Sequence, residues 1–172
     1  MAMVYKHFIF RILQFLPLIL LFLICIKDDS LFHFKFFDLL SFNFQYIIIY
    51  YWVLKNPQIL GYGFIFLAGI VNDVVVGSPI GVSSVTYLIL AGFAAYIRYL
   101  TVQPSLIYDW MIFVPSIAVT NSVYFYILRI FFDIKISYIT LALNTGITIL
   151  FYPLIGILFG LLANVIIKQK HV

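Results

Sequence analysis

The strongest constraint on this chain is a series of long apolar runs separated by short polar breaks. An apolar run of about 20 residues is long enough to cross a roughly 30 Å hydrocarbon core as a helix. Six runs approach this length, with approximate bounds 8–26, 38–54, 59–77, 82–100, 108–130 and 140–166. They predict an all-α, polytopic integral membrane protein with about six transmembrane helices, forming a single integral-membrane domain over residues 1–172.

Composition argues against the main soluble alternatives. The chain is 65% hydrophobic and 9% charged, whereas a soluble domain has about 45–50% apolar and roughly 25% charged residues. The net charge of +4 is spread over the ends of the runs, so no basic block suggests nucleic-acid binding. The single cysteine and the scattered histidines show no metal-ligand spacing, and no catalytic motif occurs. We therefore expect no metal, no cofactor and no enzymatic activity.

Lysine and arginine in the short loops predict the orientation. The first run, 8–26, resembles a signal peptide, but no small-residue cleavage site follows it, so we expect an uncleaved helix. With a cytoplasmic N-terminus, six basic residues lie inside and four outside. The inside set is Lys6, Arg11, Lys55, Arg98, Lys168 and Lys170, and the outside set is Lys27, Lys35, Arg129 and Lys135. Both termini are therefore expected in the cytoplasm. Arg98 and Asp109 flank one inner loop and are interpreted as topology markers.

The segment 69–81, GIVNDVVVGSPIG, places an acid inside an apolar run. Gly69, Asp73 and Gly77 are four residues apart, which puts them on one face of a helix. Because small residues let helix backbones approach each other in lipid, we expect this face to contact another helix. An acid at the centre of a membrane helix costs about 2.5–3.5 kcal/mol on insertion scales, so Asp73 should find hydrogen-bond donors or be protonated.

Two interpretations of Asp73 remain open. In one, the acid caps a turn or bonds a neighbouring helix; in the other, it is an ion, proton or substrate site. Its candidate donors are polar side chains on neighbouring helices and the backbone amides of the turn that opens the next helix. These candidates are Ser83, Ser84, Asn121, Ser122, Asn144, Thr145 and the turn 78–81. A second small-residue pair, Gly156 and Gly160, could pack within the chain or against a partner.

Two segments, YYWVLKNP (50–57) and GFIFLAGIVNDVVVGSPIGVSSVTYLILAGFAAYIR (63–98), resemble the family of the rod shape-determining protein MreD. The family has a Tyr-Trp-then-Pro segment at the end of its second helix, followed by a glycine run that contains one Asp. The residues that carry the resemblance are Tyr51, Trp52, Pro57, Gly69, Asp73, Gly77, Pro79 and Gly81. The late segment LFYPLIG (150–156) is similar to the last helix of the family.

The resemblance implies a non-enzymatic scaffold subunit of the rod-elongation machinery in the bacterial inner membrane. Such a subunit binds membrane lipid and an MreC-like protein, and through it RodA, a class B penicillin-binding protein and the MreB filament. It helps to position lateral peptidoglycan synthesis and to maintain cell shape. The implied fold is similar to the substrate-binding subunit of energy-coupling-factor transporters.

That fold leaves one alternative, a substrate-capturing membrane subunit of a vitamin-type transporter. As a family, such subunits usually carry an Ala-x-x-x-Ala motif on the first helix, where they dock to the coupling subunit. Here no alanine occurs between Ala2 and Ala68. The missing motif favours the scaffold interpretation.

Overall fold

A computed structural model describes residues 15–26, 43–100, 105–134 and 137–168 of the chain. These residues form helices joined by short turns, and none of them lies in a strand. The six helices are α1 (Phe15–Ile26), α2 (Phe44–Lys55), α3 (Tyr62–Val76), α4 (Val82–Leu100), α5 (Leu106–Phe132) and α6 (Tyr138–Lys168). The all-α class expected from the sequence is therefore confirmed.

Three of these helices, α4, α5 and α6, are long and apolar enough to cross a membrane. The helices α1 and α3 are apolar but shorter. The helix α2 has 12 residues, which is about 18 Å at 1.5 Å per residue. Residues 8–14 and 38–42, which the sequence assigned to the first two runs, lie outside the described residues. Among the described helices, three therefore reach the length of a membrane span, where the sequence predicted about six.

The helix α2 lies at the centre of the bundle. Residues 46–54 are all buried, so this helix is apolar and covered on every face. It packs against α4 and α6, and its side chains share one core cluster with Leu21 and Cys25 of α1. A helix that is hydrophobic all round is stable only where neighbours enclose it. The solidly apolar second half of the second run therefore forms the core of the bundle.

Consecutive helices from α3 onward pack against each other, and short connections make them antiparallel. Pro57 helps to end α2, because a residue that precedes proline disfavours the helical conformation. Because neighbouring helices are antiparallel, the bundle has two distinct ends. One contains the last residue of α2 and the start of α5, and is called here the Lys55 end. The other contains the end of α3 and the start of α4, and is called the Asp73 end.

Pro153 lies inside α6. The helix continues through this position without interruption. Proline lacks an N–H, so the carbonyl of Ile149, four residues earlier, has no helical partner. The indole Nε1 of Trp110 in α5 donates a hydrogen bond to that carbonyl at 2.9 Å. A side chain of the neighbouring helix thus replaces the donor that the proline removes.

Candidate functional site

Asp73 occupies the last turn of α3, and its side chain is fully buried. The Ser78 hydroxyl donates to Oδ1 at 2.8 Å, and the Gly81 backbone N–H donates to Oδ2 at 2.7 Å. The Ser83 backbone N–H donates to both oxygens, at 3.1 and 3.2 Å. The first N–H groups of a helix lack intrahelical partners and attract negative charge. The carboxylate therefore ties the end of α3 to the start of α4.

The donors of Asp73 come from the turn that follows it and from the first turn of α4, and not from the side chains proposed for this role. The Ser83 hydroxyl instead accepts a hydrogen bond from the Asn72 amide at 3.1 Å. The Ser84 hydroxyl donates to the backbone carbonyl of Phe66 at 2.9 Å. Of the turn amides considered from the sequence, that of Gly81 donates to Asp73, and the Ser83 amide and the Ser78 hydroxyl are donors that were not considered.

Three of the four side chains proposed on α5 and α6 bond elsewhere. The Asn121 amide of α5 donates to the Thr145 hydroxyl of α6 at 2.6 Å. The Thr145 hydroxyl in turn donates to the carbonyl of Leu141, and the Ser122 hydroxyl donates to the carbonyl of Ala118. These side chains bond within or between α5 and α6, so the donors to Asp73 found among the described residues all lie at its own corner of the bundle.

Gly69 brings α3 and α4 into close contact. A Cβ atom at this position would lie 2.5 Å from the backbone nitrogen of Ser84 and 2.7 Å from its hydroxyl oxygen. Both distances are far below van der Waals contact, so only glycine permits this approach. Asp73 lies one turn later on the same helix, which places its carboxylate directly beside the start of α4. The close helix contact expected from the glycine spacing is present at Gly69.

Gly77 has a different role from the one its spacing suggested. It lies after the last residue of α3 and caps the helix in the left-handed conformation, with φ of 72°. It is exposed, and a Cβ there would meet nothing within 4 Å. The placement of Gly77 on the packing face is therefore wrong, because the helix ends before it. Glycine adopts positive φ at little cost and commonly ends helices in this way.

Pro79 and Gly81 complete the turn between α3 and α4. Pro79 is half-buried, and its carbonyl accepts a backbone hydrogen bond from Val82 at 3.3 Å. Gly81 has φ of 103°, a conformation that other residues adopt only with strain. That conformation accompanies the hydrogen bond from its N–H to Asp73. The turn therefore orients backbone amides toward the acid.

A chain of polar side chains extends this corner toward α2. The Gln45 amide donates to the Asn72 side-chain carbonyl at 3.4 Å, and the Asn72 amide donates to the Ser83 hydroxyl. These contacts join α2, α3 and α4 at the Asp73 end. Gln45, near the start of α2, thus finds a polar partner inside the bundle.

Tyr51, Trp52 and Pro57 lie away from this corner, toward the Lys55 end. The rings of Tyr51 and Trp52 are buried, with centroids 5.4 and 6.0 Å from the ring of Phe159 in α6. Pro57 is half-buried in the turn after α2. The residues predicted from the sequence therefore form two separate groups. One joins α3 to α4, and the other joins α2 to α6.

The Gly156–Gly160 pair of α6 also faces the chain itself. A Cβ at Gly160 would lie 3.6 Å from the Tyr51 hydroxyl, and one at Gly156 would lie 3.8 Å from the side chain of Leu106. These are ordinary contact distances. Of the two uses that the sequence left open for this pair, packing within the chain is the one that the described residues show.

The Lys55 end contains an ion pair that the sequence pattern did not indicate. Lys55 Nζ lies 2.8 Å from Asp109 Oδ2, and so connects the last residue of α2 to the first turn of α5. The Asp109 side chain is only 2% exposed, whereas Lys55 is 26% exposed. Arg98, which the sequence grouped with Asp109, is exposed. The predicted topology places Lys55 and Asp109 on the same side of the membrane. That shared side is the one feature of the sequence that could have indicated the ion pair.

Two further features bear on ligand binding. Within the described ranges, no group of three His, Cys, Asp or Glu side chains could hold a metal ion. A shallow open groove of about 340 Å³ runs along the outer face of α4 and is lined by Ile89, Gly92, Phe93 and Tyr96. Among the described residues the buried acids are Asp73 and Asp109, one at each end of the bundle.

The family described as rod shape-determining protein MreD matches residues 10–165 of the chain. No curated protein and no solved structure matches it. The matched segment spans nearly the whole sequence and includes both groups of residues described above. The resemblance seen in residues 50–98 is confirmed by this match, and the long apolar helices agree with a membrane location. The chain therefore belongs to the MreD family of rod shape-determining membrane proteins.

Proposed function

We propose that this protein is a non-enzymatic scaffold subunit of the bacterial rod-elongation machinery. In this role it binds an MreC-like membrane protein and helps to position lateral peptidoglycan synthesis. One observation carries the proposal beyond family membership. The carboxylate of Asp73 is fully buried, and both of its oxygens accept hydrogen bonds from the chain itself. An acid satisfied in this way stabilises a helix connection, which favours a packing role over an ion, proton or substrate site.

The proposal extends to the arrangement in the membrane. All six helices form one integral-membrane unit in the inner membrane, with both termini in the cytoplasm and a fold similar to the substrate-binding subunit of energy-coupling-factor transporters. The location of Lys55 and Asp109 at one end of the bundle agrees with this arrangement, because the predicted topology puts both on one side of the membrane. Large apolar side chains on the outer faces of α4, α5 and α6 suit contact with lipid and with partner helices.

Within this proposal the MreC-like protein is the direct partner. RodA, a class B penicillin-binding protein and the MreB filament are reached through the complex. The test is co-purification from membranes of rod-shaped cells, using the wild-type chain and Asp73→Leu. We expect the wild-type chain to retain the MreC-like protein, and Asp73→Leu to accumulate poorly or to lose it. Depletion of the chain should produce rounded cells.

Two results would contradict the scaffold role. One is the absence of any complex with an MreC-like protein together with normal rod shape after depletion. The other is a vitamin bound stoichiometrically to the purified chain, which would favour the transporter subunit instead. Mass spectrometry of the purified protein under non-denaturing conditions distinguishes the second result from partner binding.

A further inference from the structure

Four buried side-chain polar atoms have no hydrogen-bond partner within 3.5 Å among the described residues, and Nε1 of Trp52 is one of them. The other three, near the Lys55 end, are Oδ1 of Asp109, the hydroxyl of Tyr50 and the hydroxyl of Tyr152. These residues are 2%, 0% and 1% exposed, and they belong to α5, α2 and α6. Buried polar groups are nearly always hydrogen-bonded, and one left without a partner loses its hydration energy. Three such atoms on three neighbouring helices therefore require a common explanation.

The three residues form one cluster around Phe113. The Tyr50 ring lies 5.0 Å from the Phe113 ring and 5.9 Å from the Tyr152 ring, and Phe113 stacks on Tyr152 at 4.3 Å. Phe113 follows Asp109 by four residues and so shares its face of α5. The unpaired atoms therefore share one region between α2, α5 and α6.

The chemistry of the cluster selects the kind of molecule that could fill it. A carboxylate oxygen only accepts hydrogen bonds, whereas a phenol hydroxyl both donates and accepts. The other oxygen of Asp109 already bonds Lys55 at 2.8 Å, so the negative charge is compensated and an added cation would meet the ammonium group. A small neutral molecule that donates and accepts fits all three atoms. Water does so, since internal waters typically bond two to four polar groups.

We propose that this cluster is an internal hydration site, in which bound water connects Oδ1 of Asp109 with the hydroxyls of Tyr50 and Tyr152. Lys55 provides the route to the membrane surface, because its side chain is partly exposed while its ammonium group bonds the buried acid. The site joins α2, α5 and α6 through solvent at the point where the apolar core ends. It differs from the corner at Asp73, where the chain supplies every donor that the structure shows.

The first test is X-ray radiolytic labelling of the full chain in lipid nanodiscs, read by mass spectrometry. Water held beside a side chain produces hydroxyl radicals in place, so it oxidises residues that bulk solvent does not reach. We expect Tyr50 and Tyr152 to be oxidised several-fold faster than Tyr87. Tyr87 is a matched control, because it is 3% exposed and packs edge-on against Tyr46. Labelling of both tyrosines at the rate of Tyr87 would overturn the proposal.

The second test removes single hydroxyl groups. Tyr50→Phe and Tyr152→Phe keep the ring and its packing, so they separate the hydroxyl from its surroundings. If water bonds the hydroxyl, each change should lower the thermal midpoint of the purified protein by about 2–4 °C. Tyr96→Phe, at a residue 61% exposed on α4, should leave the midpoint unchanged. Tyr152→Phe decides the test, because the Tyr50 hydroxyl also interacts with the hydroxyl of Ser116. A midpoint that stays the same or rises in Tyr152→Phe would show that no water bonds this hydroxyl, and the proposal would fail.

Discussion

Gly69 and Gly92 form a matched pair for testing the close approach of α3 and α4. Both lie inside helices, so replacing either by alanine adds the same methyl group to the same kind of backbone. At Gly69 that methyl would lie 2.5 Å from the backbone nitrogen of Ser84, whereas at Gly92 nothing lies within 4 Å. One substitution therefore meets a neighbouring backbone, and the other meets open space.

The expected magnitudes follow from this difference. Alanine is favoured over glycine in a helix by about 0.8–1.0 kcal/mol, so Gly92→Ala should leave the free energy of unfolding unchanged or raise it by up to that amount. At Gly69 the helices must separate by about 1 Å to reach van der Waals contact, and overpacking of this kind costs about 1–3 kcal/mol. The same movement lengthens the hydrogen bonds from Gly81 and Ser83 to Asp73. Charge-assisted bonds contribute about 1.5–3 kcal/mol each, so the net loss for Gly69→Ala is about 2–4 kcal/mol.

The assay is thermal unfolding of both variants, purified in the same detergent. For a chain of this size each kcal/mol shifts the midpoint by about 2–4 °C. We therefore expect a fall of roughly 4–16 °C for Gly69→Ala and a small rise or no change for Gly92→Ala. Equal midpoints for the two variants would refute the reasoning, because they would show that the backbones of α3 and α4 do not meet at Gly69.

Three further predictions use the same unfolding assay. Asp73→Leu leaves three donors unpaired and should cost at least about 3 kcal/mol, while Asp73→Asn, which keeps one carbonyl acceptor, should cost less. Lys55→Met leaves the buried Asp109 carboxylate without its partner and should cost about 3–5 kcal/mol, and adding Asp109→Leu should restore most of that loss. Trp110→Phe removes the donor to the carbonyl that Pro153 leaves unpaired and should cost about 0.5–1.5 kcal/mol; in a Pro153→Ala background, where the helix has its own N–H, the cost should vanish.

Each of these predictions has an outcome that contradicts it. A wild-type midpoint for Asp73→Leu would mean that the carboxylate adds nothing to the α3–α4 connection. Arg98→Met is the control for Lys55→Met, because Arg98 is exposed; equal effects of the two changes would argue against the buried pair. If Trp110→Phe lowers the free energy of unfolding equally with and without Pro153, the indole does not replace the hydrogen-bond donor that the proline removes.

Much of the corner around Asp73 was predictable because its contacts are local. The donors to the carboxylate come from residues five, eight and ten positions later in the chain. A helix end, a short turn and a helix start leave few arrangements over that distance, so the turn amides could be named in advance. The error at Gly77 has the same local origin. Four-residue spacing defines a face only while the helix continues, and the spacing does not show where α3 ends.

The Lys55–Asp109 ion pair is a contact that could not be predicted from local sequence patterns. Its two residues are 54 positions apart, and Arg98 was an equally charged candidate much closer in sequence to Asp109. The predicted topology put all three on one side of the membrane. The choice of Lys55 depends on α2 occupying the centre of the bundle, with its last residue beside the first turn of α5. That position results from packing among several helices.

The sequence by itself determined the helical membrane class and the chemistry of the α3–α4 turn. The length of an apolar run and the order of residues in a short turn are local properties, and their effects do not depend on which helices pack together. Only the tertiary structure decided the contacts between distant helices, including the ion pair, the Trp110 bond to α6 and the unpaired atoms around Phe113. In an apolar chain most helix faces are chemically alike, so the faces that meet are selected by the fit of particular side chains.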